Sequence, residues 1–177
     1  MASKRPTSPS RATGDKKRKV STKTIPLRTQ IFISYAHEDD EWRRRLVTNL
    51  KTLVRKRLVE VWDDTKIGAG ENWLEKIDSK MLGARIAVLL ISEDFLASDF
   101  IFKKEVPRLF NRHKRAGMTI FPLLIRSCDW EEVSWLRRKQ IRPKDGNAMA
   151  KYKGDKRSEE LAKVVKEVAK IARSSRS

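Results

Sequence analysis

Sulfur and imidazole are scarce in this chain: its 177 residues include one cysteine, Cys128, and two histidines. A lone thiol excludes an internal disulfide framework, and with two separated imidazoles it offers no metal-ligating cluster. Long apolar runs are missing too. The longest uninterrupted one is the six-residue Ile86–Ile91, against the roughly 20 residues that span a bilayer. The N-terminus carries charge with no apolar stretch behind it, so it does not read as a secretory signal. No Walker A or G-x-G-x-x-G glycine motif and no internal repeat is present. These absences predict a soluble, cytoplasmic protein with no membrane contact, no metal and no resident cofactor.

Acidic residues are scarce at the two ends, and the formal net charge is +18. Residues 1–28 hold nine basic side chains and one acid, and residues 142–177 hold eleven and five, leaving 21 and 17 for residues 29–141. The centre therefore has an ordinary globular balance. Residues 1–28 are rich in Lys, Arg, Ser, Thr and Pro, and bury too little apolar surface to offset the entropy of ordering. They are expected to be a disordered basic tail, with one domain over 29–173 and a disordered end at 174–177. Within the tail, Lys16-Lys17-Arg18-Lys19-Val20 reads either as a nuclear-import or nucleic-acid patch or as a plain solvated run. Charge of this density at both ends predicts non-specific, salt-sensitive contact with nucleic acid or an acidic partner.

Between the ends, strand and helix patterns alternate. Ile31-Phe32-Ile33 leads into Ser34-Tyr35 as a buried strand. Asp39 or Asp40 then caps a helix with Trp42, Leu46, Leu50 and Leu53 on its apolar face. Leu58–Trp62 reads as a strand, 63–70 as a loop, and 72–82 as a helix presenting Trp73, Ile77 and Met81. Ile86–Ile91 has no polar interruption, as befits a strand covered on both faces. A loop over Ser92–Asp99 precedes a helix carrying Phe102, Val106, Leu109 and Phe110, which Pro107 is expected to kink after Glu105. Met118–Ile125 is a fourth strand, Asp129–Leu136 a short helix or turn, and a weakly signalled fifth strand falls in 137–150. A last helix starts near Ser158, with Leu161, Val164, Val165, Val168 and Ala172 on one face and Glu159 and Glu160 in its first turn. The pattern implies an α/β domain with a parallel sheet. Ligands of such sheets bind beyond the carboxyl ends of the strands, which points to the loops after Tyr35, Trp62 and Ile91.

At those loops the chain resembles a known family. Ile31 to Asp39 is similar to the first box of TIR (Toll/interleukin-1 receptor) domains. Val61 to Trp73 resembles their second box, the BB loop, in its bacterial form. Ile91 to Glu105 resembles the stretch that leads to the catalytic glutamate of TIR NADases. The resemblance implies a flavodoxin-like single domain, a five-stranded parallel sheet with helices on both faces. It also implies one of two roles: an NAD+ glycohydrolase that cleaves the nicotinamide–ribose bond, switched on by self-assembly in immune or antiphage signalling, or a non-enzymatic scaffold that signals by TIR–TIR association. NAD+ enters as substrate, and a sensor or upstream protein is an expected partner.

The resemblance places the catalytic carboxylate at Glu105. The other reading of that residue is a surface glutamate paired with Lys103, Lys104 or Arg108. One carboxylate suffices for this chemistry, because the nicotinamide of NAD+ is already cationic and leaves neutral, so no general acid is needed to protonate it. Phe32, Ser34, Tyr35, Trp62, Asp63 and Ile101 are the implied substrate-binding positions, and Lys66, Ile67, Gly68 and Gly70 the assembly loop. Several active relatives carry a stacking Trp four residues before the glutamate; here Ile101 stands there, between Phe100 and Phe102. Ala36 and His37 occupy a loop where some relatives place basic residues against phosphates. His37 reads as a solvated loop residue and His113 as a structural one. A third reading is a nucleic-acid-binding protein with a regulatory TIR domain.

Overall fold

The unbroken apolar run Ile86–Ile91 forms a strand buried along its whole length, and the rest of the domain is arranged to cover it. The structure, a computed structural model, describes residues 28–62 and 73–175. In chain order its elements are β1 (Thr29–Ser34), α1 (Asp40–Arg55), β2 (Val59–Trp62), α2 (Trp73–Gly83), β3 (Ile86–Ile91), α3 (Glu93–Ala97), α4 (Val106–Ala116), β4 (Thr119–Leu124), α5 (Ser134–Arg137) and α6 (Gly154–Ser174). The four strands form one parallel sheet in the order β2-β1-β3-β4. Strand alternation divides the core in two. Ile31, Ile33, Val88 and Leu90 face α1 and α6, whereas Phe32, Ala87, Leu89 and Ile91 face α2, α3 and α4. The chain leaves β1 toward one edge and returns to β3 on its other side, so the sheet has its switch point between β1 and β3.

Several expectations are corrected. Four strands, not five, are present among the described residues. The fifth position is held by one residue: Arg142 donates its N–H to the Pro122 carbonyl (2.9 Å) and accepts from the Leu124 N–H (2.7 Å). Ser92–Asp99 is no simple loop, because Ser92 caps α3 by accepting the Phe95 N–H at 3.0 Å. Asp39 precedes α1 but makes no side-chain capping bond there. The α6 helix begins at Gly154, so Glu159 and Glu160 lie beyond its first turn, and Glu160 is buried against Lys163 at 2.7 Å. Phe102 is exposed, and Ile101 takes the buried position. At the break expected after Glu105, the chain makes a single π turn over Ile101–Glu105, closed by the Val106 N–H on the Ile101 carbonyl. Proline, lacking an N–H, sits where the chain switches from i→i+5 to i→i+4 bonding.

The segment replacing the fifth strand is tied down by Tyr152, whose hydroxyl lies 2.7 and 2.6 Å from the two Asp145 carboxylate oxygens. Burial and this carboxylate push the Tyr152 hydroxyl up to about 12, and the hydroxyl in turn holds the Asp145 carboxyl below its ordinary value. A raised folded value means that Tyr152 contributes its stabilisation below the ordinary tyrosine range and loses it as pH rises through about 12. An ultraviolet titration of the chain's two tyrosines is expected to show one late step, abolished by Tyr152→Phe.

Candidate functional site

Beyond the carboxyl ends of β1 and β3 lies a cleft of about 390 Å³. Its floor is the end of β1 and the turn after it, Phe32 through Glu38; one wall comes from Asp94, Ala97 and Ser98 of α3 and its C-terminal end, the other from Phe100, Ile101 and Glu105. The wide π turn puts Ile101, Glu105 and Val106 on one inward side, all buried. Glu105 is 5% exposed. That corrects the reading of a surface position; nearby, Lys103 pairs with Asp99 (3.0 Å) and Arg108 with Asp78 (2.8 Å). Three carboxylates line the cleft, from Glu38, Asp94 and Glu105, with no Lys or Arg among the described lining residues.

Five of the positions named from sequence meet here: Phe32, Ser34, Tyr35, Ile101 and Glu105. Trp62 does not line the cleft. It stacks on Phe32 from the neighbouring strand, centroids 5.4 Å apart and planes 13° from parallel, and so sets the ring that does. Ser34 is buried, and its hydroxyl has no hydrogen-bond partner among the described residues. Tyr35 is half-buried, with the Arg43 guanidinium 5.6 Å from its ring centroid. Asp63, Lys66, Ile67, Gly68 and Gly70 lie outside the described residues. His113 is structural, its Nδ1 2.6 Å from the Met118 carbonyl oxygen.

Sequence reasoning missed Glu38, Asp94 and Ser98. The signal for the latter two was the strand-end rule applied to the turn after β3, had Ser92 been read as a helix cap. Phe100 supplies an aromatic ring to the cleft and Phe102 does not.

A polar network braces this end of the sheet. Asp39, fully buried, accepts from the Ser92 hydroxyl (2.5 Å) and forms an ion pair with Arg126 (2.8 Å), and Arg126 also pairs with Asp94 and Glu93. Burial pushes the Asp39 carboxyl above its ordinary value, although Ser92 and Arg126 pull it down. The network joins the turns after β1, β3 and β4, and through Asp94 it reaches the cleft wall. Burial also pushes the Cys128 thiol up, which keeps it protonated and poorly nucleophilic. Among the described residues no group of His, Cys, Asp and Glu is arranged to hold a metal, and no helix is long and apolar enough to cross a membrane.

The family model of the TIR domain matches residues 31–162. The uncharacterized protein y4lF of Sinorhizobium fredii is 34% identical over 140 residues, which cover 78% of this chain. The match covers 43% of that relative, so the chain spans less than half its length. Among solved structures, that of the RPS4 and RRS1 TIR domain heterodimer superposes with a TM-score of 0.55 at 16% identity, covering 81% of this chain and 98% of that one. The TIR domain of the Toll-related receptor TRR-2 from Hydra magnipapillata gives a TM-score of 0.45 at 20% identity, covering 61% and 93%.

Proposed function

Because this chain belongs to the TIR-domain family, we propose that its cleft hydrolyses NAD+ at the nicotinamide–ribose bond, with Glu105 as the catalytic residue and self-assembly as the switch. The observation that carries this reading is a buried carboxylate in an acidic cleft at the switch point, beside the buried Ser34 hydroxyl. A cleft of this sign, with no Lys or Arg among its described lining residues, suits a cationic pyridinium and its ribose rather than a phosphate.

The bond between ribose C1′ and the nicotinamide nitrogen breaks with its electron pair going to the nitrogen. Nicotinamide leaves neutral, and positive charge develops at C1′. Glu105, fixed in a poorly solvated wall, stabilises that charge and holds the ribose diol. Such preorganised electrostatics is worth most where the dielectric is low. Water then adds at C1′ and releases a proton, giving ADP-ribose. Phe32 and Phe100 supply the apolar surface against which the pyridinium rests, and Ser34 donates to the ribose.

The solved heterodimer pairs two TIR domains. By analogy, copies of this chain associate, with Lys66, Ile67, Gly68 and Gly70 in the assembly loop, and activity rises with protein concentration. A signalling role in immunity or phage defence, triggered by an upstream partner, follows from the same membership. The scaffold reading has one observation in its favour: Ile101, an aliphatic side chain, stands where several active relatives stack a tryptophan.

Nicotinamide release from NAD+ by concentrated protein tests the reading. A sharper test is Ser34→Ala. Removing a buried hydroxyl that lacks a partner costs little stability or adds some. If Ser34 donates to the ribose, kcat/KM falls about tenfold, the equivalent of about 1.4 kcal/mol, while the melting temperature holds. Unchanged kcat/KM would remove Ser34 from the site.

A further inference from the structure

The excess positive charge of the folded domain is concentrated on the side away from the cleft. The α1 and α6 helices pack together over one face of the sheet, and residues 40–57 and 153–175 hold fourteen Lys or Arg against six Asp or Glu. On the cleft side, residues 73–83 and 93–116 hold eight against six. Like charge at this density opposes folding, so its concentration on one helix layer calls for an anionic partner.

A groove of about 580 Å³ runs between the two helices, lined by Glu41, Arg44, Arg45, Thr48, Asn49 and Arg157. Two of its arginines carry partners on their own helix: Arg45 Nε donates to Glu41 at 3.0 Å, and Arg44 Nε lies 2.9 Å from Asp40. Two of the arginines are held in place by Trp42, their guanidinium carbons 5.9 Å (Arg45) and 5.5 Å (Arg157) from its ring centroid. Arg157 is anchored further by its Nε, which donates to the Tyr152 carbonyl at 2.7 Å. Exposed pairs such as Arg44–Asp40 and Arg45–Glu41 contribute little stability, so phosphate oxygens can compete for these guanidinium groups beside the hydroxyl and amide groups of the groove.

We propose that the α1–α6 face binds the phosphate backbone of nucleic acid, centred on the arginine groove and without preference for base sequence. Trp42 is half-buried under its arginines, and the exposed large hydrophobic residues among those described, Leu82 and Phe102, lie off both helices. The face therefore offers no platform for stacking bases and no apolar wedge for a bilayer. Backbone contact through counterion release is what remains.

The test uses the full chain and two labelled DNA duplexes of equal length and unrelated sequence, with affinity measured across a salt series by fluorescence anisotropy. Both duplexes are expected to bind alike, log Kd rising linearly with log salt. Arg44→Ala, Arg45→Ala and Arg157→Ala together lower the salt slope by about 3, at about 1 for each phosphate that is no longer neutralised. The same three positions changed to Lys keep the slope. Lys103→Ala, Lys114→Ala and Arg115→Ala, on the opposite face, leave it unchanged. Should loss of Arg157 unfold the domain, Arg44→Ala with Arg45→Ala carries the test at a change of about 2. An alanine variant that binds with the wild-type slope overturns the proposal. So does full loss of binding on neutralising Lys16, Lys17, Arg18 and Lys19 alone, or retention on phosphatidylserine vesicles with no duplex binding.

Discussion

Replacing Glu105 by Gln is expected to lower the rate of nicotinamide release by about 10²-fold or more, with the fold retained. The substitution keeps the shape and hydrogen-bonding reach of the side chain and removes only its charge. The loss therefore falls on stabilisation of the positive ribose in the transition state, the equivalent of about 2.7 kcal/mol or more. Because the interaction strengthens as charge develops, kcat should fall while KM for NAD+ changes little. A large rise in KM with kcat preserved would make Glu105 a substrate-binding residue instead. Far-UV circular dichroism separates either result from unfolding.

The largest stability effect is expected at Asp39. Asp39→Ala leaves the buried Ser92 hydroxyl without its acceptor and takes one carboxylate from Arg126. Breaking a buried charged pair costs about 3–5 kcal/mol. Arg126 keeps Asp94 and Glu93, which puts the expected loss near the lower end, about 3 kcal/mol. Asp39→Asn retains an acceptor for Ser92 and should cost clearly less. The two variants also differ from wild type in pH dependence. The folded carboxyl is raised by burial, so the stabilisation it gives is complete below its ordinary value and declines as pH rises through the folded one. Wild type should thus lose stability relative to Asp39→Asn as pH rises from the acid side toward neutrality. Urea unfolding across that range checks both statements. Equal stability of wild type and Asp39→Ala would show that the network contributes nothing.

How far the sequence could be read depended on how local each signal was. The run Ile86–Ile91 has no polar residue, and it is the strand buried on both faces. Leu46, Leu50 and Leu53 recur at helical spacing and are the buried face of α1. Asp39 shows the opposite case. Next to a helix start, an Asp reads as a cap, but its actual partners are 53 residues away at Ser92 and further still at Arg126, and nothing local announces them. The same distance hid α3. The fifth strand failed because its pairing with β4 is a single residue long, at Arg142, so no strand-length pattern exists to detect. At the cleft, the resemblance located Glu105 and the end of β1. Glu38, Asp94 and Ser98 were not legible, because their place depends on how the π turn and α3 close the wall.

Nicotinamide release from NAD+, followed beside light scattering at rising protein concentration and with a crowding agent, tests the central claim most directly. Release that appears as the wild-type protein assembles, and is absent from Glu105→Gln at equal scattering, is the predicted result. Wild-type protein that assembles by scattering yet leaves NAD+ intact would contradict the enzyme reading and put the scaffold reading in its place.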